Sequence, residues 1–313
     1  VTFVMLTSPA VSSTAPATAT GHANGHANRA ARNDQGTPGP HEESIPRVAA
    51  TVREHWRRRR EDPDLDCELG ALLQQGFGEL EEWTQPPIVR RMLRAMGGDE
   101  EEAAGLLCRA IESRARRREL YRTLRLPGEP ACDMRVIGYD LDRRPTIYLC
   151  CRNQQGGLVD ILPQVFLTFE AAVRLCADLA DGQVALIADM RDFSARRNMD
   201  LAAFQDLQAS FGSVYADRLR FLLIVDFSWV AQAVWRACKP LLSERTRQKI
   251  SFVDEAKARE LVEARFPAKT RERIFTAFDI NRDPGSTGEQ RRAHALRTSI
   301  CDVPLGSVEL RSS

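Results

Sequence analysis

Apolar residues follow two rhythms along this chain. Between about residues 45 and 126 they recur every three or four places, as in Ile88-Val-Arg-Arg-Met92-Leu-Arg-Ala-Met96, and this spacing predicts amphipathic helices. Asp99 stands where an N-cap would, Glu102 follows three residues later, and the acids of that first turn suit the positive end of a helix dipole. The helix they open carries Ala103, Leu106, Leu107, Ala110 and Ile111 on one face, and Pro127-Gly128 is expected to stop it. From about residue 130 the rhythm changes. Met134–Tyr139 and Thr146–Cys151 read as strands around the turn Asp140–Pro145, and Val184–Ala188 and Phe221–Val225 are continuous apolar runs.

Helices are expected between these strands. Thr168 is placed to cap one bearing Phe169, Val173, Cys176 and Leu179, ended by Gly182. A second starts at Asp200 with Leu201, Phe204, Leu207 and Phe211 on one face. Helix Trp229–Leu242, strand Ile250–Val253 and helix Glu255–Phe266 complete the series. Short, wholly apolar strands alternating with helices predict an α/β fold, a mostly parallel sheet covered by helices and preceded by a helical lobe. Residues 1–44 are rich in Ala, Ser, Thr, Pro, Gly and Asn and are expected to be disordered, as is a polar tail from 281 to 313. The expected organisation is therefore 1–44 tail, 45–127 helical lobe, 128–280 α/β domain and 281–313 tail.

Charge and composition narrow the function. Lys and Arg number 44 against 43 Asp and Glu, a net charge of +1, which argues against a dedicated nucleic-acid binder. No run approaches the ~20 apolar residues that span a bilayer. The arginine run Arg57–Arg60 lies beside Glu54 and Glu61 and reads as a solvated helix face. The eight cysteines include no Cys-x-x-Cys and no histidine at zinc-ligand spacing, so a reducing, cytoplasmic setting without a metal site is expected. Asp279–Gly285 begins like a calcium loop, but no acid stands at its twelfth position.

Catalytic chemistry is thinly represented. The five histidines are His22, His26, His41, His55 and His294, so the stretch from Trp56 to Ala293 has no imidazole for a Ser/His/Asp or Cys/His engine. Nucleophile-elbow, phosphate-loop and dinucleotide-binding motifs are missing too, so no catalytic residue and no cofactor are expected. Asp189, Arg191 and Asp192 at a strand end occupy the place where α/β proteins build active sites, without a nucleophile–base pair. One helix stands out. In Trp229–Leu242 only Gln232, Arg236 and Lys239 are polar, so it needs apolar neighbours on more than one side. Burial between sheet and lobe, or a lid over an apolar guest, would each satisfy it.

Four blocks in order resemble the CRAL-TRIO lipid-binding family, in its phosphatidylinositol transfer branch. Gly138-Tyr-Asp-Leu-Asp-Arg-Arg-Pro145 is similar to the family's GxDxxGRP hairpin, with Arg143 where glycine is usual. Ala188-Asp-Met-Arg-Asp192-Phe-Ser resembles its xDxxGxS strand end, with Asp192 at the glycine. Tyr215-Ala-Asp217-Arg218-Leu resembles YPERL, and Trp235-Arg-Ala-Cys-Lys239-Pro240 through Thr246 to Lys249-Ile250 resembles WxxxKPFLxxxTxxKI. Arg91-Met-Leu-Arg94-Ala is similar to the opening of the family's helical lobe, and the likeness runs from about Ile45 to Phe278.

The resemblance implies a CRAL-TRIO fold in which one lipid lies in a cavity between the sheet and a gating helix. Phe227, Trp229, Val230, Val234, Trp235, Cys238 and Leu241 would then form the gate and line the pocket. The family's headgroup Glu and Lys fall on Asp217 and Lys249. Removing acyl chains from water is worth ~0.8 kcal/mol per methylene, and the bilayer offers nearly as much, so headgroup contacts would decide selectivity. The partners implied are a lipid, phosphatidylinositol or a related phospholipid, and a transiently visited membrane surface. The phosphatidylcholine-binding Ser-x-Thr is Val184 and Leu186 here, and the basic pair after the lobe motif is Met96-Gly97. Those departures leave two alternatives: a carrier of a sterol, tocopherol or retinoid, and a protein-interaction module with a closed pocket that meets a small GTPase or scaffold.

Overall fold

The apolar runs pair into one five-stranded sheet. Asp133–Tyr139 (β1) and Pro145–Cys150 (β2) form an antiparallel hairpin; Val184–Asp189 (β3), Leu219–Val225 (β4) and Ile250–Val253 (β5) then add in parallel, in the order β1-β2-β3-β4-β5. This computed structural model describes residues 41–61, 79–126, 130–176, 182–198, 200–239 and 244–301. The tail up to residue 40, residues 62–78 of the lobe, and residues 302–313 lie outside the described residues.

Side chains alternate across the sheet with the period of a strand. Ile147, Leu149, Leu186, Ala188, Leu222 and Ile224 face helices Leu158–Arg174 (α5) and Leu201–Val214 (α6) and the helical lobe. Tyr148, Cys150, Ile187, Leu223 and Val225 face the other way, against Ala258 and Val262 of Glu255–Arg265 (α8) and Ile274, Ala277 and Phe278 of Ala268–Arg282 (α9). The helical lobe comprises Ser44–Arg60 (α1), Pro86–Ala95 (α2), Glu100–Arg116 (α3) and Arg118–Thr123 (α4). Its core joins Val52 and Trp56 to Met92, Leu93, Leu107 and Ile111. Asp99 caps α3 by accepting from the Glu102 N–H at 2.9 Å. On α1, Arg57 and Arg58 pair with Glu54, and Arg59 pairs with Glu112.

The lobe is fastened to the α/β unit by a buried arginine. Arg114 donates to Glu79 at 3.0 Å and to Glu170 of α5 at 3.1 Å, and its guanidinium lies 4.2 Å from the Tyr121 ring centroid. Such a planar cation can satisfy carboxylates and stack on aromatics together.

Three elements depart from the expected ones. Helix α5 begins ten residues before Thr168, at Leu158, behind Gly157, whose N–H donates to Asp160; Thr168 lies inside the helix and donates to the Gln164 carbonyl at 2.8 Å. Pro163, the sixth residue of α5, removes one hydrogen bond from the helix without ending it. Helix α3 breaks at Arg117, and the chain turns at Leu124, which holds a left-handed φ of 51°, before Pro127 is reached. The described part of the expected loose tail is ordered: α9 runs to Arg282, and Gly288–Thr298 (α10) follows behind a Thr287–Gln290 capping box. Ile300 N–H then donates to the Val136 carbonyl at 2.9 Å, along the outer edge of β1. Burying one polar side chain, His294, gives this helix too little apolar periodicity to be read from sequence.

Candidate functional site

Asp217 lies where α6 turns into β4. It takes a left-handed φ of 57°, a conformation that short polar side chains tolerate better than most. Its carboxylate is 3% exposed and is ringed by three cations from two segments. Arg94 of α2 reaches Oδ2 at 3.2 Å; Arg245 reaches Oδ1 at 2.8 Å, and Lys249 reaches the same oxygen at 3.5 Å. Lys249 Nζ also donates to the Leu219 carbonyl at 2.6 Å, and Arg245 Nη1 donates to the Arg94 carbonyl at 2.6 Å.

Two further guanidiniums lie behind this group. Arg91 donates to the carbonyls of Val214 and Ala216, at 3.1 and 2.8 Å, and Arg218 donates to the Gly182 carbonyl at 2.7 Å. Burial, reinforced by like-charged neighbours, pushes both below the usual arginine range. Burial also pushes Lys249 down, against the pull of Asp217. This seam therefore concentrates positive charge around a single carboxylate.

The two headgroup candidates, Asp217 and Lys249, thus meet, although they belong to separate sequence blocks. The nearby acids that could have taken Lys249 are occupied otherwise: Glu244 pairs with Arg247 at 2.6 Å, and Asp254 caps α8. Sequence reasoning missed Arg94, Arg245, Arg91 and Arg218. Arg91 and Arg94 stood one helical turn apart in the block that resembles the opening of the helical lobe, and that was the signal for this pair.

The gating segment rests on β5, the edge strand that directly follows Lys249. Trp229–Cys238 (α7) lays Trp235 against Phe252 of β5, with ring centroids 5.0 Å apart, and Phe227 meets the same ring at 4.5 Å. Trp229, expected among the pocket-lining residues, is 79% exposed; it opens the first turn of α7, before the helix reaches the Phe252 cluster. The side chains of Val230, Val234 and Cys238, and all of Leu241, lie outside the described residues.

At the carboxyl ends of β3 and β4 the acids are locked rather than poised. Asp189 is fully buried, accepts from the Tyr148 hydroxyl at 2.8 Å, and receives Arg282 at 2.8 and 3.2 Å. Burial holds its pKa above the usual carboxylate range even so. Arg282 also reaches Asp226 and Glu255, each at 2.6 Å. Asp192 faces Arg152 at 3.2 Å. No histidine pairs with Asp189 among the described residues. Nor does any group of three His, Cys, Asp or Glu there suit a metal ion, and no described helix is long and apolar enough to cross a membrane.

A family comparison bears directly on this arrangement. Residues 134–273 match the CRAL/TRIO domain. The matched span runs from β1 into α9 and holds Asp217, Lys249, Asp189 and the gating helix; the helical lobe and α10 lie outside it. Both glycine replacements in the CRAL/TRIO hairpin and strand-end motifs keep a glycine-like backbone, with φ of 63° at Arg143 and 56° at Asp192. Gly138 of the hairpin faces Thr270 of α9 so closely that a Cβ would collide with its side chain. No curated protein matches the sequence. Among solved structures, one described as "Crystal structure of Sfh5" is similar, with a TM-score of 0.44 and 12% identity over 68% of this chain and 81% of that one.

Proposed function

We propose that this protein binds a single phospholipid, phosphatidylinositol or a close relative, between its sheet and helix α7, and exchanges it with membranes. The meeting of Asp217 with Lys249 at 3.5 Å carries this reading, because it joins the two residues that the CRAL-TRIO resemblance assigns to the headgroup. Lys249 would meet the phosphodiester as a compact cation whose donors can swing to the oxygens. The aromatic contacts of Trp235 and Phe227 with Phe252 supply an apolar flank to α7. Exposed Trp229, with Arg236 and Lys239 exposed on the same segment, gives α7 an amphipathic outer face suited to an anionic membrane surface. The protein is then a carrier of the cytoplasm rather than an enzyme, with lid movement setting the exchange rate.

Mass spectrometry of lipid released from the natively purified protein is the direct test. One phospholipid per chain is expected, along with Lys249-dependent movement of phosphatidylinositol between vesicles. A protein that carries no lipid and transfers none would end this reading.

A further inference from the structure

An open groove of about 860 Å³ runs between α3 of the lobe and α6 of the α/β unit. Its α3 wall carries Asp99, Glu101 and Glu102 at one end and Arg109 at the other, so acids outnumber bases along about 15 Å of helix. The α6 wall offers the side-chain amides of Gln205 and Gln208, and Gly105, Ala209 and Gly212 take up little of the space between. Glu102 Oε2 is covered and has no hydrogen-bond partner among the described residues. A covered carboxylate oxygen without a donor is costly, so this end of the groove lacks a group that an occupant would bring.

The described chain starts beside the same acidic end. The His41 ring packs so closely on Gly98, the residue before Asp99, that a Cβ there would stand 2.6 Å from it. Glu42 pairs with Arg90 at 2.7 Å and Arg47 with Glu100 at 2.6 Å, which fixes the entry to α1. The residues before His41 are therefore tethered at the mouth of the groove. Their charged members are Arg29, Arg32 and Asp34, and no acid precedes Arg29. A chain of nine residues, the separation of Arg32 from His41, has a mean span of about 17 Å, which matches the groove. Pro38 and Pro40 favour extended backbone, whose N–H and C=O groups suit the two glutamine amides. A tether this short holds the segment at an effective concentration of about a millimolar, so modest contacts suffice to seat it.

We propose that the groove between α3 and α6 is the seat of this chain's own residues 29–40, with Arg29 or Arg32 paired to Glu101 and Glu102. Seated there, the segment touches the lobe on one wall and the α/β unit on the other, and so acts as a strap across their junction.

The test uses the full chain in two arms. In the first, Arg32→Lys supplies an amine to a segment that has no lysine, and a carbodiimide joins amine to carboxylate with loss of water. Mass spectrometry of the digest should find residue 32 linked to Glu101 or Glu102 within one chain. Adding Ala209→Arg, at an exposed position of α6, fills the groove but leaves both carboxylates in place, and the link should be lost. No link in Arg32→Lys, or a link that survives Ala209→Arg, would overturn the proposal. So would a link formed between labelled and unlabelled chains, which would make the occupant a second copy. In the second arm, a synthetic peptide of residues 26–40 is titrated into the parent and into Arg29→Glu/Arg32→Glu. The variant, with its own segment repelled, should bind the peptide on the order of tenfold tighter than the self-occupied parent. Equal binding by the two, or binding by neither, would overturn the proposal.

Discussion

Arg282 and Asp189 form a two-pronged ion pair, at 2.8 and 3.2 Å, that ties the last turn of α9 to the end of β3. The pair is deeply buried, and Arg282 extends it to Asp226, the residue after β4, and to Glu255, the first of α8. Removing one partner leaves a charge without compensation in a poorly solvated place. Arg282→Met is therefore expected to cost about 3–5 kcal/mol, and Asp189→Asn less, because Asp226 and Glu255 still pair with Arg282. Denaturant midpoints would check this, and a loss under 1 kcal/mol for Arg282→Met would refute a structural role for the pair.

His294 should make stability depend on mild acid. Burial, together with Arg135 and Arg297, pushes its imidazole down to about 4. The native state keeps it neutral while the unfolded chain takes up a proton below about pH 6.5, so the unfolded state binds more protons between those values. The stability that His294 contributes is thus complete above about pH 6.5 and lost as pH falls toward 4, at no more than about 1.4 kcal/mol per pH unit. The stability gap between the parent and His294→Gln should narrow over that window; a gap that holds constant from pH 7.5 to 4.5 would contradict the assignment.

Arg143 and Asp192 offer a paired test of backbone strain. Both hold a positive φ, but aspartate is far more at home there than arginine, and Asp192 has Arg152 as a partner. Relief of strain in Arg143→Gly, less the added freedom of the unfolded chain, should stabilise the protein by about 0.5–1 kcal/mol. Asp192→Gly should yield less, and Arg143→Ala nothing. Thermal melts of the three variants would show the order, and equal gains for Arg143→Ala and Arg143→Gly would rule out a backbone origin.

Gly138 is set by the close approach of Thr270. Adding one methyl there should force β1 and α9 apart and cost about 1–3 kcal/mol. In a Thr270→Ala background the same Gly138→Ala change should cost much less, because the two sites share one contact. Strict additivity in that double-mutant cycle would show that the strain lies elsewhere.

Strands were the most legible part of this sequence. Runs such as Val184–Ala188 and Phe221–Val225 are apolar at every position because both sheet faces are covered, and that pattern survives in a single sequence. The start of α5 was obscured by Pro163 and by Thr168, whose hydroxyl back-bonds within the helix instead of capping it. Helix α10 was illegible for a different reason: it is polar nearly all round and is held by its cap and a few contacts with β1 and α9. Asp217 and Lys249 were reached through motif resemblance. The roles of their companions Arg94 and Arg245 could not be, since the pairing of Arg94 with a carboxylate 123 residues away, and of Arg245 with one beyond the gating helix, leaves no local trace.

The backbone bond from Ile300 to Val136 gives the far end of the chain a protective duty. β1 is the outermost strand on its side, and seven residues of unguarded ladder would invite a second molecule to add its own strand there. A protein cut just before Gly288 would keep every contact at the Asp217 seam, yet it should self-associate through that exposed rim.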